Sequence, residues 1–239
     1  LRTRCAIFVQ SDYLGEKNIM NELIPAFEQS LFNSSFSIGI DISEVLIDTA
    51  INDSIFKDIP IVNTIVNLGK FAQNIYDRNL ISQTVTFINE FNKGVNSDKV
   101  EKHRKKLNEK PKLLESELSR VLILLNKNID IIKSKYEARF YAAYVNEKLS
   151  WDDFCELCDI TDRLFLSDII CLEEAYKNEG VNENMSISYK HERLIAVGLL
   201  ESVTGVNRGP LWDDIDLEEA QIVLELTEIG NKFCQIAFI

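Results

Sequence analysis

The segment Asp58-Ile59-Pro60-Ile61-Val62-Asn63-Thr64-Ile65-Val66-Asn67-Leu68-Gly69-Lys70 constrains the fold more than any other stretch of the chain. Pro60 stands where a helix can start, because a first-turn residue has no intrahelical amide bond to lose. Ile61, Ile65, Leu68, Ala72 and Ile75 then recur at helical spacing, with Val62, Val66 and Gly69 in a second row beside them. A helix apolar over that much of its circumference is wrapped by other helices, or it meets a membrane or a partner. Its polar positions offer mainly Asn63, Thr64, Asn67 and Lys70, whereas an interfacial helix carries Lys or Arg along its polar face. No apolar run in the chain reaches the roughly 20 residues needed to span a bilayer. The pattern therefore predicts the core helix of a bundle. A membrane-active effector working through residues 60–76 is the weaker alternative.

The remainder of the chain supplies helices to pack around it. Ile19, Leu23, Phe27 and Leu31 suit an amphipathic helix kinked by Pro25, and Val45, Leu46, Thr49 and Ala50 a short one. The Pro60 helix can run on, with a break near Asp77-Arg78-Asn79, through Leu80, Thr84, Phe87 and Phe91 to a stop at Gly94. Pro111 opens a helix with Leu114, Leu118, Val121 and Leu125 on one face. After a break at Asn126-Lys127-Asn128, the row Ile129, Ile132, Tyr136, Phe140 and Ala143 predicts an antiparallel partner for it. Ser150 and Asp153 form a capping box flanked by Leu149 and Phe154, starting a long helix that extends to Tyr176.

Beyond Gly180 the style changes. A helix over Tyr189–Leu200, a turn-rich acidic insertion, the alternating strand Gln221–Leu226 and a final helix from Thr227 follow one another. With Leu-x-x-x-Gly-Leu-Leu-Glu and Leu-Thr-Glu-Ile-Gly-Asn-Lys-Phe, this order resembles the recognition helix, wing and closing helix of a winged-helix module. The predicted fold is thus mainly α, a multi-helix bundle followed by a small winged-helix-like α+β module. Its divisions are residues 1–36, where Cys5-Ala6-Ile7-Phe8-Val9 reads as a short strand or a non-native scar ahead of the kinked helix, the bundle at 37–182, and the module at 183–239. With 46% hydrophobic residues and only 4 Pro and 9 Gly, the composition is that of a helical protein with ample core.

Charge narrows the partners. A formal net charge of -12 opposes general binding to nucleic acid or anionic lipid, which needs positive potential. From Ser186 to Ile239 the balance is four basic against nine acidic residues, the reverse of what a DNA reader requires. The exception is residues 98–112, where seven Lys and Arg face three acidic residues. Most such runs are solvated faces, and no aromatic residue is interleaved to stack on bases. Lys102, Arg104, Lys105 and Lys106 are nevertheless the candidate contacts for an acidic partner or a phosphate backbone, with Trp212 as a candidate interface anchor.

No catalytic, cofactor or metal residues emerge. His103 and His191 are the only histidines, and neither lies three residues after a Glu or within a cluster of zinc ligands. No phosphate-binding glycine loop and no nucleophile elbow occurs. Cys155-Glu156-Leu157-Cys158 is surrounded by Asp152, Asp153, Glu156 and Asp159, whose charge disfavours thiolate, so it reads as core packing. Asp213–Glu219 lacks the glycine of a calcium loop and reads as a helix start. Five cysteines without framework spacing predict reduced thiols and a cytoplasmic location.

Lys57-Asp58-Ile59-Pro60-Ile61-Val62, Asp77-Arg78, Phe140 to Tyr144, Arg163-Leu164-Phe165-Leu166-Ser167-Asp168 and Leu226-Thr227-Glu228-Ile229-Gly230 together resemble a family of uncharacterised bacterial α-helical proteins, with residues 1–36 outside the likeness. The resemblance implies a cytoplasmic protein of bacterial or phage and mobile-element origin, with no catalytic residues to carry over. The expected function is a non-enzymatic interaction protein in phage-host conflict, a defence component or an inhibitor, that binds a protein partner or a second copy of itself. A winged-helix transcriptional regulator is the alternative.

Overall fold

The computed structural model describes residues 20–33, 59–68, 75–178, 188–205 and 221–238. Among them are ten helices and a single two-stranded antiparallel sheet near the C-terminus, so the protein is mainly α with a small α+β part. The expected helix from Ser43, the acidic insertion with Trp212, and Gly180 lie outside the described residues. The chain forms two compact units, Leu1–Trp151 and Asp152–Ile239.

In the first unit, α1 spans residues 20–31 and runs through Pro25 without interruption. Helix α2, Pro60–Leu68, buries Ile61, Val62 and Ile65 and exposes Asn63 and Asn67. It is therefore amphipathic, burying one stripe rather than most of its circumference. Its first-turn amides have no intrahelical acceptor, and the buried hydroxyl of Ser30 on α1 takes one of them, from Ile61, at 3.0 Å. The same hydroxyl donates back to the Ala26 carbonyl at 2.7 Å.

The helix at the centre is α3, Ile75–Gly94. Every residue from Ile81 to Phe91 is buried, polar ones included. No break occurs at Asp77-Arg78-Asn79, because Asn79 is used as part of the helix: its side chain donates to the Asn128 carbonyl at 2.7 Å and accepts from Gln83 at 3.1 Å. Gly94 is not a left-handed cap either. The only glycine with positive φ among the described residues is Gly198.

Three more helices complete this unit: α4, Ser97–Asn108, α5, Pro111–Lys127, and α6, Ile131–Val145. The stop at Asn126-Lys127-Asn128 stands where expected. However, α6 packs chiefly along α3, not along its predecessor α5. Fully or nearly buried Ala138 and Ala142 let the two backbones approach, since short side chains leave no bulk between them. Aromatic rings fill the rest, with Phe87 and Phe91 lying 5.9 and 5.5 Å from Tyr141. Polar pairs cross the same seam. Ser134 donates to Gln83 at 2.7 Å and Arg139 meets Glu90 at 2.7 Å, while Asn128, at the end of α5, donates to Ser134 and Glu137 on α6.

The second unit holds most of α7, Trp151–Arg163, with α8, Leu166–Lys177, α9, Tyr189–Ala196, strands β1, Leu200–Gly205, and β2, Gln221–Leu226, and α10, Glu228–Ala237. The long helix expected up to Tyr176 is two helices. Leu164 is buried and Phe165 turns extended (φ −82°, ψ 156°), its amide accepted by Asp168 at 3.1 Å, so α8 starts afresh. The division expected at residue 183 accordingly falls earlier in space, because α8 packs on α9 and α10. Helix α9 also ends sooner than Leu200. Gly198 takes φ 81°, reserved in practice for glycine, and turns the chain into β1. The strands pair from Leu200↔Leu226 to Gly205↔Gln221. Thr227 caps α10, its hydroxyl accepting the Gly230 amide at 3.0 Å.

Candidate functional site

The basic segment is helix α4, and its placement follows from local capping. The Asn96 side chain accepts the amides of Asp98 and Lys99, at 3.0 and 3.2 Å. Asn146, at the end of α6, clamps the α3–α4 turn by accepting the Asn96 amide and donating to the Gly94 carbonyl, each at 2.9 Å. His103 and Leu107, one turn apart, anchor α4 in the core, leaving its lysines outside.

Under α4 lies a tetrad of polar groups. Glu117 on α5 is 1% exposed and accepts the Tyr141 hydroxyl at 2.7 Å and the Tyr144 hydroxyl at 3.2 Å, while His103 Nε2 stands 2.7 Å from the same carboxylate. The rings of Tyr141 and Tyr144 meet the imidazole nearly edge-on, at 6.3 and 5.3 Å. Burial, reinforced by the adjoining Glu117 charge, pushes the Tyr141 hydroxyl well above the ordinary tyrosine range. The tetrad is thus a saturated set of donors around one acceptor. Its physical role is to let α4, α5 and α6 share a polar centre without an unpaired atom.

Above the tetrad is a cleft of about 530 Å³, lined by Lys99, Lys102, His103, Lys105, Lys106, Glu109, Tyr144, Val145, Glu147 and Leu149. Lys102 donates to Glu147 at 2.7 Å, and Lys99 pairs with the other oxygen of the same carboxylate. Hydrogen bonds from Lys102 and Lys99, with their charge, hold that carboxyl down at about 2. Glu147 is the one non-glycine residue with positive φ (63°) among the described residues. Its amide bonds the Tyr144 carbonyl at 2.9 Å and the Lys148 amide the Ala143 carbonyl at 2.8 Å, the paired bonds of a helix end that usually selects glycine. Of the residues the sequence singles out, Lys102 is thus paired with Glu147 and Arg104 with Glu28, at 3.3 Å. Lys105 and Lys106 are exposed, with no acidic partner among the described residues. Trp212 lies outside them.

Glu117, Tyr144 and Glu147 are additions that composition and charge runs do not flag. One signal was present for Glu117: it falls on the apolar row of α5, four residues before Val121 and next to Leu118. The cleft lining holds an imidazole and lysines but no Ser, Thr or Cys, and no group of metal-binding side chains occurs among the described residues. Four lysines face two glutamates around the cleft, so its charge is net positive.

No protein-family model, curated protein or solved structure matches this chain. The reading of the site rests on its geometry.

The second unit has a different charged centre. Asp168 is fully buried and receives Arg193 through both oxygens, Nε at 2.9 Å, along with the Phe165 amide. The guanidinium lies 4.9 Å from both the Phe165 and Tyr189 ring centres, a double cation–π stack. Burial alone would raise the Asp168 carboxyl, but Arg193 and the Phe165 amide outweigh it and hold the group below its usual range. A lowered carboxyl contributes stability at pH above its unfolded value and loses it as pH falls through the folded one. Wild type should therefore lose urea resistance on acidification below about pH 4 more steeply than D168N, whose amide cannot titrate. Identical acid slopes in the two proteins would show that the pair stores no such stability.

Two cysteines of this unit, Cys158 and Cys234, are core packing residues, whereas Cys155 and Cys171 are half-buried. Cys158 and Cys234 are buried, and burial pushes the Cys234 thiol up to about 12 and the Cys171 thiol above its ordinary value. His191 accepts the Ser188 amide at Nδ1, 3.1 Å, and burial lowers its pKa, so it serves as a neutral cap of α9.

Proposed function

We propose that the protein is a non-enzymatic interaction protein that binds an acidic segment of a partner protein through the outer face of α4. The observation that carries this reading is the cationic cleft itself, with Lys105 and Lys106 exposed beside it on a chain of net charge -12. Positive potential of that kind selects acidic partners. The bacterial, phage-host setting and the cytoplasmic location belong to the same proposal; the first rests on the resemblance, the second also on cysteines without framework spacing.

The other two readings have less in their favour. The apolar stripe of α2 is buried, and no helix among the described residues is long and apolar enough to cross a membrane. The helix–strand–strand–helix order of the second unit favours a winged-helix regulator, but Arg193, which with Lys190 makes up the Lys and Arg of α9, is held by Asp168.

The test is capture of partners from bacterial lysate on the immobilised chain and on K105E/K106E, which reverses two exposed charges without touching the core. Loss of the captured protein from the variant, and weakening of capture by salt in wild type, is the expected result. A partner set unchanged by the charge reversal overturns the assignment of α4 as the contact surface.

A further inference from the structure

We propose that the α4 cleft is a seat for a phosphate monoester, and that the Glu147 carboxylate occupies this seat in the free chain as an internal counter-ion. The inference rests on the reading of α4 as a contact surface and specifies the chemistry recognised there.

Charge sets the ligand class. The cleft is lined by four lysines, Lys99, Lys102, Lys105 and Lys106, against two glutamates, Glu109 and Glu147, leaving two positive charges in surplus. A phosphate monoester carries close to two negative charges at neutral pH and three acceptor oxygens, which matches the surplus and the donors available. The cleft volume of about 530 Å³ is within the range of small-ligand sites. His103 and Tyr144 form its inner wall, and the tetrad on Glu117 fixes both of them from behind, so that wall is rigid.

Backbone geometry identifies Glu147 as the occupant. Its φ of 63° is a conformation that glycine or asparagine adopts at little cost and glutamate does not. The Asn146 clamp and the paired helix-end bonds enforce that conformation, and the side chain then meets Lys99 and Lys102 with both carboxylate oxygens. Glu147 nonetheless remains about half exposed (53%), so its side chain can swing into water without moving the core. An external phosphate gains two freed lysines when it does so. Lys105 and Lys106, which have no acidic partner among the described residues, supply the remainder of the charge.

The test is isothermal titration of phenyl phosphate into the full chain at constant ionic strength, with phenyl sulfate as the singly charged control. E147Q, which keeps the size of the side chain, and E147N, which suits the left-handed position, should each bind phenyl phosphate roughly threefold to tenfold more tightly than wild type. K102A and K106A should each weaken binding, and phenyl sulfate should bind less tightly to every form. A phosphoserine peptide that binds more tightly than free phosphoserine marks the source as a modified protein, and equal affinities mark it as a small metabolite. Both results support the seat. Equal affinity of wild type and both Glu147 variants, or equal binding of sulfate and phosphate, overturns it. If phosphate fails while K105E/K106E still loses its captured partner, this inference falls and the interaction reading stands. If the partner is also retained, both fall.

Discussion

Glu117→Leu is expected to lower the stability of the first unit by about 3–5 kcal/mol, the range for breaking a buried charged cluster by removing one member. Glu117 is 1% exposed and is the common acceptor for Tyr141, Tyr144 and His103. Leucine fills much of the volume, but it leaves two hydroxyls and a ring nitrogen facing an apolar side chain, and Tyr141 is too deeply buried to turn to water. Glu117→Gln should cost less, about 1–2 kcal/mol, because the amide oxygen still accepts while its nitrogen meets a donor. Tyr144→Phe should cost about 1 kcal/mol, since its bond is the longest of the set at 3.2 Å and the residue is only half-buried. Urea unfolding followed by circular dichroism orders the three variants. Were leucine no worse than glutamine, the tetrad would be dispensable, and the cleft wall built on it would lose its support.

The second large effect is steric. Gly230→Ala should destabilise the second unit by about 3 kcal/mol, the upper end of ordinary overpacking. A β-carbon on Gly230 would lie 2.1 Å from the Leu199 carbonyl oxygen and 3.0 Å from its carbon, both backbone atoms that no rotamer change can move. The Gly198–Leu199 turn is itself pinned, for the Thr227 amide bonds the Leu199 carbonyl at 3.2 Å and the Thr227 hydroxyl donates into the same turn. Relief requires α10 to leave its seat against that turn. Gly94→Ala is the control: there the nearest atom is Ala142 Cβ at 3.5 Å, an ordinary contact, so the change should be neutral or slightly stabilising. Differential scanning calorimetry distinguishes the pair, with roughly 15 °C expected between Gly230→Ala and wild type for a unit of this size. A melting point for Gly230→Ala within a degree or two of wild type would mean that α10 does not dock on Leu199.

Apolar periodicity read the element types well and their depth less well. The rows through Leu118, Val121 and Leu125, and through Tyr136, Phe140 and Ala143, are helices and are buried. The β-strand at Gln221–Leu226 stands where alternation places it, and the closing helix begins just after Thr227 as expected. What periodicity mislocated was the centre. The helix from Pro60 is the more hydrophobic segment but buries one stripe, whereas α3 is enclosed while carrying Gln83, Thr84, Thr86, Asn89 and Glu90 inside it. A polar residue reads as exposed until its partner is known, and the long-range partners of Gln83 and Glu90, namely Ser134, the Ile129 carbonyl and Arg139, lie more than 40 residues away. The break at Leu164-Phe165 escaped detection for a related reason, since the signal was Asp168 acting as a cap behind a phenylalanine, which is not a capping residue by type.

The charged site was legible in part. The cluster of lysines is a property of composition and appears in any charge count. That Lys99 and Lys102 share one carboxylate, and that this carboxylate belongs to a residue in a left-handed conformation, depends on the end of α6 meeting the side of α4. Nothing local to residues 98–112 encodes it.

The polar residues buried along α3 also act as a vernier. Leucines and phenylalanines on two facing helices tolerate a slide of one turn, about 5.4 Å, because one apolar contact replaces another. Gln83 with Ser134 and Glu90 with Arg139 do not, and they lie seven residues apart on α3 and five apart on α6, so a single slip disengages both at once. A sequence that kept the apolar rows and replaced these four residues with leucine would still form helices and still collapse. It would lose the mark that tells α6 where along α3 to stop.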